Sequence, residues 1–215
     1  MKRYLVICVL SALAFLVTAP PANAQMYLAA SALKETASSP RRVCGMTALD
    51  CNDETIGKAI TLGHRLRFGM LASPLDQLDN MSVEIRYASH GNLSTKAKAF
   101  AIGGPALSES IWSDNLQSLS LGTSVEVPLS RSLNLVTRLG YSFFRSNEKY
   151  TFDTDSYQIG TSTRRTSEPY YALGLSYRLN RQVSLAADFM ATKAPYGGSS
   201  FRDLRTLSAG AGYSF

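Results

Sequence analysis

Two histidines, a pair of cysteines and a set of arginines and carboxylates spaced in steps of two are the residues whose chemistry must be tested first. Nucleophilic hydrolysis needs a serine or cysteine with a base in hydrogen-bond reach. A histidine with a serine two residues on and a glutamate partner would supply it. His90 is followed by Gly91 and Asn92, and His64 by Arg65 and Leu66, so neither carries that spacing. His90 is expected at the surface, where a strand meets a loop. The chain has no Gly-rich phosphate loop and no metal-ligand cluster, so no enzyme, no cofactor and no metal are expected.

Of the three cysteines, Cys8 lies inside an apolar run, while Cys44 and Cys51 stand in a polar stretch. In an oxidising compartment such a pair reads as a disulfide. Free thiols are the alternative. A metal site would need two more ligands, and no His or Cys lies nearby.

The compartment is read from the N-terminus. Lys2 and Arg3 are followed by the apolar stretch Tyr4 to Val17, then Pro20, Pro21 and Ala22-Asn23-Ala24. That is the basic, apolar and cleavage-site order of a secretory signal peptide over residues 1–24. A membrane anchor fits less well, because the run is short and no stop-transfer charges follow. The mature chain, 25–215, has no further apolar run long enough for a membrane helix. Without Lys2 and Arg3, the 22 Lys and Arg fall to 20 against 16 Asp and Glu, a net charge of +4. These basic residues are scattered, with no run beside stacking aromatics, so nucleic acid is not expected as a partner.

The elements that position the charged residues alternate with period two, and the pattern repeats eight times. The strands are read as 26–34, 58–71, 81–90, 117–127, 133–143, 171–179, 183–189 and 207–215. Leu133, Leu135, Thr137, Leu139, Tyr141 and Phe143 fall on one face of the fifth, against Asn134, Val136, Arg138, Gly140 and Ser142 on the other. The face of the first is ambiguous, since Tyr27 and Leu28 are both apolar. A soluble sandwich also alternates. Here, however, the opposite face carries Arg, Glu, Asp, Ser and Gly, so the apolar face must meet lipid. Connections alternate short and long. Those at 73–80, 128–132 and 180–182 are short, whereas 35–57, 91–116, 145–168 and 192–203 are long. Short periplasmic turns and long external loops have that rhythm. The expected fold is all-β, an eight-stranded antiparallel up-and-down transmembrane β-barrel.

Leu139-Gly140-Tyr141, the segments Tyr171 to Leu179 and Val183 to Phe189, and the closing Ser208 to Phe215 carry a resemblance. They are similar to the small OmpA/OmpX-like barrels, including the opacity-type outer-membrane proteins of Gram-negative bacteria. The resemblance implies the outer membrane as location. It makes Tyr213 and Phe215 the signal read by the barrel-assembly machinery. It leaves function open, because adhesins, complement-evasion proteins and structural barrels share the pattern. With nothing beyond Phe215, no peptidoglycan-binding domain is expected. Lipid A deacylases share the fold, but the histidine spacing above is not theirs.

The alternation puts Arg65, Arg67, Arg86, Arg138 and Arg178 on the inner face with Glu84, Glu126 and Asp188. Eight strands leave an interior just wide enough for side chains. Charges there must pair. A closed polar core is expected, with a selectivity filter as the alternative. The long loops are the expected contact surface. The segment around 153–156, flanked by Tyr150, Phe152, Tyr157 and Ile159, reads as a hairpin rising above the membrane. Partners expected are outer-membrane lipid and lipopolysaccharide, the assembly machinery, and a host or matrix receptor through the loops. A structural or weakly conducting barrel without a ligand is the alternative, and a monomer is expected.

Overall fold

The computed structural model describes residues 25–38, 48–52, 54–66, 81–100, 107–152, 157–196 and 200–215. Residues 1–24, Cys44 and Arg67 lie outside them, and of Cys51 only the backbone is described. The strand segments are β1 (Gln25–Ser38), β2 (Ala48–Asn52), β3 (Glu54–Leu66), β4 (Met81–Phe100), β5 (Leu107–Pro128), β6 (Leu133–Phe152), β7 (Tyr157–Arg178), β8 (Val183–Tyr196) and β9 (Ser200–Ser214). Every pairing is antiparallel.

With β2 and β3 counted together, neighbours in sequence are neighbours in space, apart from the seam where β1 pairs with β9, which closes the sheet. β3 pairs with β4 from Lys58↔Ser89 to Leu66↔Met81, and β2 pairs with the far part of β4 from Ala48↔Ala97 to Asn52↔Ser94. β2 and β3 are thus two pieces of one stave, and eight staves close the barrel. Closure removes the edges that an open sheet would leave.

Two turns of the same construction join staves at the end where both described chain ends lie. Leu129 N and Ser130 N donate to Leu133 O, and Leu179 N and Asn180 N donate to Val183 O. The second residue of each turn then caps it with its side chain. Ser130 Oγ accepts from Leu133 N at 3.1 Å, and Asn180 Oδ1 accepts from Val183 N at 2.7 Å. Ser and Asn are turn residues because their side chains satisfy backbone donors two or three residues on. Phe215 N donates to Met26 O at 2.9 Å across the seam.

The strands run well past the expected bounds on the opposite side. The stretches 91–116 and 145–168, expected as loops, are mostly strand. The second stave begins at Glu54 rather than Lys58, and beyond Leu66 it lies outside the described residues. In β1 the ambiguity resolves with Leu28 outward, 45 % exposed, and Tyr27 inward, its hydroxyl on Glu84. The tall hairpin is present, with Phe152 opposite Tyr157.

The reason for the missed length lies in which side is wet. In the lower part of the barrel, Leu139, Tyr141, Leu173, Leu175 and Tyr177 are exposed on the outer face. Higher up the polarity inverts. Leu116, Phe144, Ala194 and Leu204 form a buried inner cluster, while Arg145, Lys193, Asp203 and Arg205 are exposed outside. A strand facing lipid shows its apolar side outward, and one standing in water shows it inward. Where the two regimes meet, the apolar set changes face. A reading that follows one apolar face stops there.

Gly91, with φ +74°, sits at the ladder irregularity between Ser89 and Asn92. A Cβ there would lie 2.3 Å from Thr55 Oγ1, so glycine is required both for its conformation and for space.

Candidate functional site

The inner face is built in tiers. At the turn end, Arg65 Nη2 lies 3.2 Å from Glu126 Oε1, and its Nη1 donates to Gln25 Oε1 at 3.3 Å. Asn134 Nδ2 donates to the other Glu126 oxygen at 3.1 Å, and Asn134 Oδ1 accepts from Arg178 Nη2 at 3.3 Å. Arg178 therefore reaches the carboxylate only through Asn134, and it is itself exposed at the mouth.

The middle tier is a buried cluster of ion pairs. Arg138 Nε donates to Glu84 Oε2 at 3.0 Å, and Arg138 Nη1 lies 3.4 Å from Asp188 Oδ2. Asp188 is shared with Arg86 at 3.7 Å, and Tyr27 donates its hydroxyl to Glu84. Three arginines thus face three carboxylates across these two tiers: Arg65, Arg86 and Arg138 with Glu84, Glu126 and Asp188. The guanidinium of Arg65 also lies over the Tyr27 ring, 5.6 Å from its centroid, a cation–π contact.

Aromatic rings are seated against glycines. A Cβ on Gly63 would fall 2.1 Å from Tyr27 Cζ, and one on Gly122 would fall 2.3 Å from the Tyr170 hydroxyl. The missing side chains are what let these rings lie flat across the next stave and fill a narrow barrel.

The upper tier was not legible as a site. His90, expected at the surface, is completely buried. Its Nδ1 lies 2.5 Å from Glu35 Oε1, and its Nε2 lies 2.7 Å from Ser118 Oγ. The correction has a physical cause: β4 does not end at His90 but continues to Phe100, so the residue lies inside a longer stave. Above it, Asp114 Oδ2 accepts from Arg202 Nη2 at 2.9 Å, and Asp114 Oδ1 accepts from Ser146 Oγ at 2.6 Å. Glu35, His90, Asp114, Ser118 and Arg202 all hold even spacing from inner residues lower on their own staves. Following that parity past the apolar outer face would have found them.

Serine, histidine and glutamate in hydrogen-bonded order are the parts of a nucleophilic triad. Such a triad also needs a path for substrate. Ser118 is 4 % exposed, the His90 ring packs on Phe144 with centroids 5.8 Å apart, and Phe144 is itself buried beside Leu116 and Leu204. Ser118 Oγ is thus closed off from solvent in this arrangement. What the three residues do is tie β1, β4 and β5 together.

The interior retains a cavity of about 60 Å³ lined by Tyr27, Arg65, Arg86, Glu126, Arg138 and Asp188, among others. That is room for about two waters at about 30 Å³ each. The polar tiers and the apolar clusters of Leu33, Ala59 and Ala88 and of Tyr170, Ala172 and Met190 fill the rest. On the outside, Tyr213 and Phe215 are exposed, with their rings edge to face at 5.2 Å.

The chain matches the family model described as the outer membrane protein beta-barrel domain over residues 8–215. No protein of curated function matches it. Similar folds among solved structures include Neisserial surface protein A, at 12 % identity and TM-score 0.48, covering 90 % of this chain and 96 % of that one. Ail, the attachment invasion locus protein of Yersinia pestis, solved in complex with the heparin analogue sucrose octasulfate, is similar at 10 % identity and TM-score 0.47, covering 89 % and 97 %. The N-terminal barrel domain of Pseudomonas aeruginosa OprF is similar at 9 % identity and TM-score 0.45, covering 88 % and 97 %. An outer face that is apolar, a closed antiparallel ladder and a match along nearly the whole sequence agree: the chain belongs to the outer membrane protein beta-barrel domain family and resides in the bacterial outer membrane.

Proposed function

We propose that this protein presents a rigid sheet above the outer membrane for contact with cells, matrix or neighbouring envelope, and that it is neither a pore nor an enzyme. The observation that carries the reading is the length of four consecutive staves. β4 to β7 have 20 to 22 residues each, whereas a membrane strand needs about 9–11. At roughly 3.3 Å per residue and a tilt near 40°, they rise about 50 Å, against an apolar band of about 25 Å. β1, β3, β8 and β9, with 13 to 15 residues, rise much less. The excess is a four-strand wall, with β2 at one margin.

The charge-balanced, nearly filled lumen supports a sealed barrel, and the seal over Ser118 supports a structural role for its chain to His90 and Glu35. Lipopolysaccharide is the partner of the basic outer rim in this reading. Tyr213 and Phe215 serve assembly, residues 1–24 are removed on export, Cys44 and Cys51 form a disulfide that shapes the first external loop, and the protein works as a monomer.

The test shortens the wall without touching the barrel. Asn147 and Thr163 are register partners, so residues 148–162 can be replaced by Asn-Gly, a two-residue hairpin connection. The shortened protein is expected to stay heat-modifiable on a detergent gel while adhesion of expressing cells to epithelial cells or matrix falls to the vector level. Adhesion equal to the unshortened protein, from the same surface amount, would overturn the proposal.

A further inference from the structure

Around the outer rim, some charges find an opposite charge on the next stave. Lys34 Nζ lies 3.0 Å from Glu54 Oε2, and Lys193 stands opposite Asp203. Arg145 of β6, by contrast, stands directly opposite Arg165 of β7. Both are exposed on the outer face. No carboxylate pairs with either among the described residues. Directly opposed side chains lie about 5 Å apart at Cβ, and like charges there are unfavourable.

The height of this pair says what could relieve it. One outward step below is Phe143 opposite Ser167, and below that Tyr141 and Tyr171 are exposed. These are girdle aromatics, which sit where hydrocarbon gives way to head groups. Arg145 and Arg165 are the first outward charges above them on their two staves. Their guanidiniums lie at head-group level, on a backbone ladder that fixes their spacing. Two planar forks at one level, aimed outward with no acidic mate, match a phosphate monoester, which accepts bidentate charge-assisted bonds from both.

We propose that Arg145 and Arg165 form a clamp for a phosphate of the phosphorylated glycolipid that makes up the outer leaflet. This deepens the lipopolysaccharide contact proposed for the basic rim and rests on it. The bound phosphate would turn an opposed pair of cations into a neutralised bridge between β6 and β7, at the base of the tall hairpin. The clamp would therefore steady the exposed wall as well as hold lipid.

The test uses the protein purified from outer membranes in detergent and a fluorescent diphosphoryl lipid A as probe. The comparison arms are the same lipid with both phosphates removed, phosphatidylglycerol, and millimolar inorganic phosphate as competitor. Wild type is expected to bind diphosphoryl lipid A at least tenfold more tightly than the dephosphorylated lipid. Arg145→Gln with Arg165→Gln is expected to lose most of that preference. Arg131→Gln with Arg181→Gln removes the same charge from the exposed turns at the opposite end and is expected to keep it. Heat modifiability reports folding of each variant, and the single substitutions serve if the double one fails to fold. Undiminished preference in the Arg145/Arg165 variant overturns the clamp alone. No preference in wild type overturns the lipopolysaccharide contact itself. Loss of the preference with inorganic phosphate marks a free-anion site and overturns the lipid assignment.

Discussion

Glu84→Gln is the most searching substitution for the lumen, because the geometry fixes what the remaining groups must do. Glu84 is 3 % exposed and accepts from Arg138 Nε at 3.0 and 3.3 Å and from the Tyr27 hydroxyl. Glutamine keeps the volume and can still accept from Tyr27, but it removes the charge. Arg138 is then left with Asp188 at 3.4 Å, a carboxylate already shared with Arg86 at 3.7 Å. Two guanidiniums would face one carboxylate in a space with room for about two waters.

Breaking a buried pair by removing one partner costs about 3–5 kcal/mol in a dry interior. Arg138 keeps 15 % of its side-chain surface and borders the wet cavity, which lowers the expected cost to about 2–3 kcal/mol. Adding Arg138→Gln removes the stranded cation and leaves the Arg86–Asp188 pair. The double variant should therefore be more stable than Glu84→Gln alone by about 1–2 kcal/mol, a coupling that a double-mutant cycle reads directly. The assay is guanidinium unfolding in detergent micelles, followed by tryptophan fluorescence and the gel shift between unboiled and boiled samples. If Glu84→Gln leaves the midpoint unchanged, or if the two changes are additive, Glu84 and Arg138 are not energetically linked and the middle tier is not an ion-pair network.

Gly63→Ala puts a methyl group into the Tyr27 ring and should cost about 1–3 kcal/mol by overpacking. Tyr27→Ala beside it should relieve the clash while giving up the Glu84 bond, and the same unfolding assay compares the three variants. Asn180→Ala removes the acceptor for Gln182 N and Val183 N and should cost about 1 kcal/mol. A shift as large as that of Glu84→Gln would mean the turn nucleates more than itself. Cys44→Ser with Cys51→Ser is expected to leave insertion and heat modifiability intact while weakening adhesion, because a short loop closed by a disulfide constrains only its own conformations. Adhesion unaffected by both this change and deletion of the loop would exclude the first loop as a contact site.

Legibility along the sequence followed the contrast between the faces of each strand. In 133–143 and 171–179 the outer positions are mostly large and apolar, while the inner ones are Asn, Arg, Gly and Ser with only Val136 and Ala172 apolar, so faces and fold could be read together. Tyr27 defeated that contrast, being aromatic yet inward, where it lies against Gly63. A ring seated on a glycine of the next stave pairs two residues far apart in sequence, and nothing local announces it. His90 and Glu35 failed for a different reason. They stand above the level where lipid ends, where the inner neighbours are Leu33, Leu116 and Phe144 and the outer ones are polar. Period two persists there with its polarity reversed.

That reversal also explains how a barrel this narrow can carry a tall external wall. Below the change of face, lipid holds the staves from outside while ion pairs fill the inside. Above it, water surrounds the staves and an apolar cluster of Leu116, Phe144, Ala194 and Leu204 takes over as the core. The Glu35–His90–Ser118 chain and the Arg202–Asp114 pair sit beside that cluster and tie together β1, β4, β5 and β9. The wall is thus rooted in its own small core rather than leaning on the membrane part. A wall rooted in this way keeps the pairs beneath independent of what lies beyond Phe100↔Leu107 and Phe152↔Tyr157, which is the division of labour the proposed contact role needs.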